Sequence, residues 1–416
     1  MKRLSFLCIF SLFLFACNND DDTVAACSKA TNILASNITT TSVTLSWQDS
    51  NNAASYIIEY GISGFVIGTG TTALESNTTL DLNNLLPETT YDVYVQVVCS
   101  TDNLSMYSDV YSFTTQSLPV VPEFRQNLSE LNLFSGTLSD LNPSVYVFEY
   151  NLHSTLFSDY AHKQRLIALP TGASMTYDGD GLPLFPENTV IAKTFFYNNN
   201  ETDLSLGKRI IETRILIKID GDWVSGDYRW NDAQTEATLD PIGGDVPVTW
   251  IDAEGESNSI TYRIPSDTDC LTCHQTNGDL TPIGPKLRTL NFSTNGINQL
   301  QALIDSNLLD GVADPATIGE LPKWTDTENY TLEQRARAYF DINCAHCHIE
   351  GGFCEVQSSL RLAFETSLED SNIVSRKNSI INRISNYNEG FSMPFIGTTI
   401  VHEEGVEILL EYLDTL

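Results

Sequence analysis

The sequence predicts a multidomain protein: an all-β sandwich near the N-terminus, a β-rich middle region and a mostly α C-terminal region. Three observations carry that prediction. Between residues 28 and 116, short runs alternate in polarity and are separated by turn-forming clusters such as DSNNA and GTGT. From about 145 to 265 the runs are apolar on both parities, as strands buried on two sides are. Beyond residue 325 the apolar positions recur at helical spacing instead. With 416 residues, 42% of them hydrophobic, the chain can build two or three cores.

At the N-terminus Lys2 and Arg3 precede the apolar run LSFLCIFSLFLFA (4–16). That run is too short to span a bilayer as a helix and reads as a secretory signal over residues 1–16. It ends in Leu14-Phe15-Ala16-Cys17, which resembles the lipobox of bacterial lipoproteins. The resemblance implies that Cys17 becomes the lipidated first residue of the mature chain. It also implies an outer membrane lipoprotein, facing the periplasm or the cell surface, with the lipid membrane as a partner. Lipid chains hold a protein on a membrane rather than in it, and no later transmembrane segment is expected. Residues 17–27 form an acidic tether, and Asn18-Asn19-Asp20-Asp21-Asp22 looks like the tag that sends some lipoproteins to the surface.

Residues 28–116 carry SVTLSW, SYIIEY, TYDVYVQVVC and VYSFTT as strands. Trp47 ends an early strand where it can plug a core, and Leu86-Pro87-Glu88-Thr89-Thr90-Tyr91 resembles the tyrosine-corner region of fibronectin type III domains. Such domains are spacers or adhesion modules, and this one holds no cluster of titratable residues, so no chemistry is expected there. Cys27 and Cys99 flank the segment and can pair, since an exported chain sits where disulfides persist. A proline-bearing linker at 117–127 leads into the β-rich stretch 128–265, with short helical turns expected near 128–141. The net charge of −32 excludes nucleic acid as a partner, because phosphates need Lys and Arg.

The chemistry lies in two Cys-x-x-Cys-His motifs, Cys270-Leu271-Thr272-Cys273-His274 and Cys344-Ala345-His346-Cys347-His348. Chance alone predicts about 0.003 such matches in a chain of this composition. A zinc ribbon wants its two Cys-x-x-Cys knuckles about 15–20 residues apart, whereas these begin 74 apart. A disulfide oxidoreductase needs a helix starting at its motif; here a helical pattern runs into Cys344 instead. Covalent haem c explains every residue: two thiols add to the porphyrin vinyl groups, and the adjacent His lies under the iron. Two haem c groups are therefore expected. Of nine cysteines, Cys354 is left over and is expected to be buried and unpaired.

Around the second motif, TLEQRARAYFDIN (331–343) and HEEGVEILLEYLDTL (402–416) each present one apolar helical face, and Met393-Pro394 lies between them. Helix, motif, loop, Met-Pro and terminal helix over 326–416 closely resemble a class I c-type cytochrome. By that resemblance His348 is the proximal ligand and Met393 the distal one, while His346 is expected to face solvent. The first haem segment, 266–325, has no such frame, being preceded by the β-like YRIPS. Candidates for a sixth ligand opposite His274 are His153, His162, Met175 and Lys193, the alternative being an open position. LFSDYAHKQRLIALP, VIAKTFFYNN, RIIETRILI, YRWNDAQTEATL and TPIGPKLRTLN are similar to stretches of a family of exported dihaem c-type proteins. The functional expectation is a lipid-anchored electron carrier serving redox partner proteins. The alternative is a peroxidase- or oxidase-like dihaem enzyme, with an open site at His274 fed by the His348/Met393 haem.

Overall fold

A computed structural model describes residues 26–416, which divide into two compact units, one ending at Leu118 and one beginning at Pro119. The expected signal peptide and Cys17 lie outside the described residues. Among those described, no helix is long and apolar enough to cross a membrane.

The first unit is a sandwich of two antiparallel sheets. Strands β1 (Thr31–Ser36), β2 (Val43–Gln48) and β5 (Thr79–Leu82) form one, in the order β1-β2-β5. Strands β3 (Ser55–Ile62), β4 (Thr71–Glu75), β6 (Thr90–Ser100) and β7 (Asn103–Tyr107) form the other, with β8 (Tyr111–Thr114) also on β6. Alternate residues meet between the sheets: Leu45 and Trp47 from one, Ile58, Val93, Val95 and Val97 from the other. Trp47 packs edge-on to Tyr56 with ring centroids 5.4 Å apart. The Tyr91 hydroxyl accepts the Leu86 N–H at 2.9 Å, so the expected corner ties the start of β6 to the loop before it. Cys27 and Cys99 are joined by a disulfide with Cα atoms 6.0 Å apart.

The second unit is built on a six-stranded antiparallel sheet. Its strands are β9 (Val147–Glu149), β10 (His162–Ala168), β12 (Val190–Asn198), β13 (Lys208–Ile219), β14 (Asp222–Trp230) and β15 (Ala237–Leu239), ordered β15-β14-β13-β12-β10-β9. The two-residue β11 (Met175–Thr176) pairs elsewhere, parallel to Leu309–Asp310. One face, with Leu166, Val190, Ala192, Ile215 and Ile217, packs on Leu128, Leu131 and Leu141 from short 3-10 turns. The opposite face splits. At one end Ile167, Ile191 and Leu216 meet residues of helices α2 (Leu287–Leu290) and α3 (Gln299–Asp305). At the other, Phe195 and Tyr197 meet Trp250 and Tyr262 of the hairpin β16 (Gly244–Ile251) and β17 (Ser257–Ile264). Cover on both faces is why these strands read as apolar on both parities.

Across the middle of that split face runs a row of charge. Arg165 pairs with Lys193, Lys193 with Arg214 and Arg214 with Asp227, four strands in register. Over the row lies α1 (Asp267–His274), which carries the first motif. Its N-terminus is closed by a capping box between Ser266 and Asp269. The sequence pattern did not predict this helix: its eight residues have no apolar face, and the cap alone marks it.

Of the remaining helices, those near 331–343 and 402–416 are where the sequence predicts them, whereas the short α5 (Leu368–Ser371) and the helix that follows it are not among its expectations. Thr331 and Gln334 form a capping box at the start of α4 (Leu332–Asn343), which packs with α6 (Ile373–Ile384) and α7 (Glu403–Asp414). Ala336, Phe340, Ile380, Ile408, Leu409 and Leu413 are the centre of this core. A Cβ at Gly405 would collide with the ring and hydroxyl of Tyr339, so glycine sets the approach of α7 to α4. The three segments distinguished in sequence after the linker thus share one compact unit.

Candidate functional site

Helix α4 ends at Asn343, and the second motif begins with its C-cap, Cys344, whose N–H donates to the Phe340 carbonyl at 2.9 Å. A further turn follows, with the His348 N–H donating to the Cys344 carbonyl at 3.0 Å. This wraps Cys344, Cys347 and His348 around one end of a cavity of about 490 Å³. Phe340, Leu362, Ile380 and Ile384 line it, and Met393 reaches it from the loop before α7. That loop is held because the Met393 N–H donates to the Arg383 carbonyl at 2.9 Å, while the Arg383 guanidinium lies over the Phe391 ring. The structure therefore brings together on one cavity four residues that the sequence singled out.

The cavity suits the group those residues imply. Its volume is within the ~300–1,000 Å³ of cofactor pockets, and its walls are mostly apolar. Burial pushes the His348 imidazole down to about 4, so it is neutral, the form that ligates a metal. Its Nδ1 is buried without a hydrogen-bond partner. Burial also pushes the Cys344 thiol up to about 12.

At the first motif the donors are present but the space is not. Cys270 and His274, one helical turn apart, face a gap of about 40 Å³ against Lys193, Arg214 and Asp227. His274 Nδ1 lies 2.9 Å from the Thr281 carbonyl, which makes Nδ1 the protonated nitrogen and leaves Nε2 with its lone pair. Burial first, and then the charge of Lys193, push this imidazole down to about 3. The gap admits water but not a porphyrin. Cys273 lines the larger cavity beside the second motif instead.

Of the four candidates for a ligand opposite His274, Lys193 alone lines its gap. His153 turns to the Leu321 carbonyl and stacks on Phe292, and His162 pairs with Glu201 at 2.6 Å. Met175 is fully buried in the core beside Leu309. Burial, with the guanidiniums of Arg165 and Arg214, pushes the Lys193 ammonium down to about 7. Sequence reasoning missed its neighbours. Burial would raise the Glu212 carboxyl, but Arg214, 2.5 Å away, holds it below the usual range. Burial, and then that carboxylate, raise the Asp227 carboxyl well above the usual range. The signal was there in RIIETRILI, where Glu212 and Arg214 share one parity with Ile210 and Leu216, both buried.

The two motifs meet. The Cys273 and Cys347 sulfurs and a ring nitrogen of His346 lie within 4.8 Å of one another. The backbone locks this junction: the Asn277 N–H donates to the Gly351 carbonyl at 2.8 Å, and Thr276 bridges Gly352. Gly351 has φ +72°, and a Cβ there would strike Asn277. His346 is therefore not the solvent-facing bystander expected: it lines the cavity, with Nδ1 buried and unpartnered. Cys354 is only partly buried, and its N–H donates to the Cys347 carbonyl at 3.1 Å. It lies near other thiols because the turn after His348 folds back on the motif.

Comparisons with known proteins bear on the first unit. Residues 28–114 match the family model described as Fibronectin type III domain. A computationally redesigned β-sandwich protein is 28% identical; the match covers 22% of this chain and 97% of that one, with a TM-score of 0.20. The FN5 domain of Drosophila Lar is 17% identical, over 22% of this chain and 98% of that one, at 0.19. The fn3 domain of the human collagen α-1(XX) chain is 18% identical, over 22% and 88%, at 0.20. No curated protein matches the chain. The chain is multidomain and β-rich, and its residues 28–114 are a fibronectin type III domain.

Proposed function

We propose that this protein is a lipid-anchored c-type cytochrome that carries electrons between redox partner proteins. The observation that supports this reading most is the cavity of about 490 Å³ that gathers Cys344, Cys347, His348 and Met393. In this reading Cys344 and Cys347 would hold a haem c by thioether bonds, and His348 and Met393 would ligate its iron. The haem, once bound, supplies one-electron exchange. The chain's own part is to orient and to exclude water: Phe340, Leu362, Ile380 and Ile384 keep the site dry, and the Arg383 carbonyl positions Met393. A thioether ligand in a dry site favours a high potential. This reading rests on one haem: at Cys270 and His274 the gap of about 40 Å³ does not admit a second, and Cys273 lines the other cavity. Cys17 would tether the chain to the outer membrane, with the fibronectin domain as spacer.

The test is production of the full chain with a haem-maturation system, followed by visible spectroscopy. Met393→Ala is expected to abolish the methionine–iron charge-transfer band of the oxidised protein while covalent haem remains. Persistence of that band would refute the pairing.

A further inference from the structure

The junction between the motifs has the composition of a metal site in its own right. Cys273, His346 and Cys347 place two sulfurs and one imidazole nitrogen within 4.8 Å of one another. His346 Nδ1 is buried with no hydrogen-bond partner, which is costly for an imidazole unless something else takes that nitrogen. Cys354 follows on the same turn, tied by its N–H to the Cys347 carbonyl, and its thiol lies against that of Cys347. Three thiols and one imidazole are a standard tetrahedral set for zinc. The ribbon spacing that argued against zinc in sequence does not apply, because the fold brings residues 273 and 347 together. The junction is also prearranged without metal, by the Asn277–Gly351 hydrogen bond and the Thr276–Gly352 bridge.

We infer that the chain, before any haem is attached, binds one soft divalent ion of the zinc class through Cys273, His346 and Cys347, with Cys354 as fourth ligand. Binding replaces three thiol protons, which pass to solvent, by bonds from three thiolates and a neutral imidazole. No electron is transferred. The ion would hold Cys273 and Cys347 as thiolates and keep them from pairing in an oxidising compartment. Metal binding stands apart from the cytochrome reading. A corollary rests on that reading: Cys347 cannot be a thioether and a thiolate ligand together, so haem and metal exclude one another.

The test uses the full chain made without haem maturation and supplied with Zn²⁺ or Co²⁺. Expected are one zinc per chain and, with cobalt, thiolate-to-metal charge-transfer absorption with tetrahedral d–d bands. Cys273→Ser and His346→Asn should each weaken binding at least tenfold, and His162→Gln, on the surface, should not. Near-UV circular dichroism keeps loss of the site apart from loss of fold. Failure to bind zinc, a Cys273–Cys347 disulfide in its place, or zinc retained by both variants at full affinity would overturn the site. Haem-loaded chain should carry no zinc; both groups at full occupancy would overturn the exclusion. Zinc uptake by a chain that never accepts haem would leave the site standing and the cytochrome reading refuted.

Discussion

Single side chains carry two effects that can be measured apart from any cofactor. Tyr91 is buried, and its hydroxyl is the acceptor for the Leu86 N–H. Tyr91→Phe strands that donor and is expected to cost the fibronectin domain about 1 kcal/mol in urea unfolding. His402 stacks on Phe157 at 4.1 Å, and its Nδ1 lies 2.8 Å from the Tyr339 hydroxyl. Burial pushes its imidazole down to about 4, against the pull of Glu404. Between about pH 6.5 and 4 the unfolded chain binds a proton here that the folded chain does not. Stability therefore falls as pH falls through that window. Wild type should lose more of its unfolding midpoint between pH 7 and 4.5 than His402→Phe does; equal losses would contradict the assignment. The candidate ligands were legible because Cys-x-x-Cys-His and Met-Pro are local patterns. Lys193 could be named from sequence but not chosen over His153, His162 or Met175, because only the register of β10, β12 and β13 aims it at His274.

At the scale of elements, helix–helix approach and chain closure decide stability. Gly405 lets α7 cross α4 over Tyr339, a ring already held by His402. Gly405→Ala forces that ring to move and is expected to destabilise the second unit by about 1–3 kcal/mol, read as a lower thermal midpoint. In the first unit, the Cys27–Cys99 disulfide closes a separation of 72 residues. Cys27→Ser with Cys99→Ser should cost about 2–5 kcal/mol; an unchanged unfolding midpoint would show that the closure contributes nothing. The helices α4 and α7 were readable because each is amphipathic over three turns. The short α1 was not, since a cap without an apolar stripe is a weak signal. Nor was the charged row across β10, β12, β13 and β14: each strand contributes only one or two of its members, and cross-strand register is invisible in a linear pattern.

For the whole molecule, the sequence separates an N-terminal β-sandwich from the part that bears both motifs, and the fibronectin match falls on the first of these. What it could not foretell is that the β-rich middle region and both motifs close into one compact unit. That closure puts Cys273 beside Cys347 and sets the charged row under His274. The central claim concerns the cavity shared by Cys344, Cys347, His348 and Met393. Its most direct test is peptide mass mapping of the full chain, produced with a haem-maturation system. The account predicts haem covalently attached to the peptide bearing residues 344–348, and its loss in Cys344→Ser with Cys347→Ser. A wild-type peptide of unmodified mass, from a chain that folds and is exported, would contradict it.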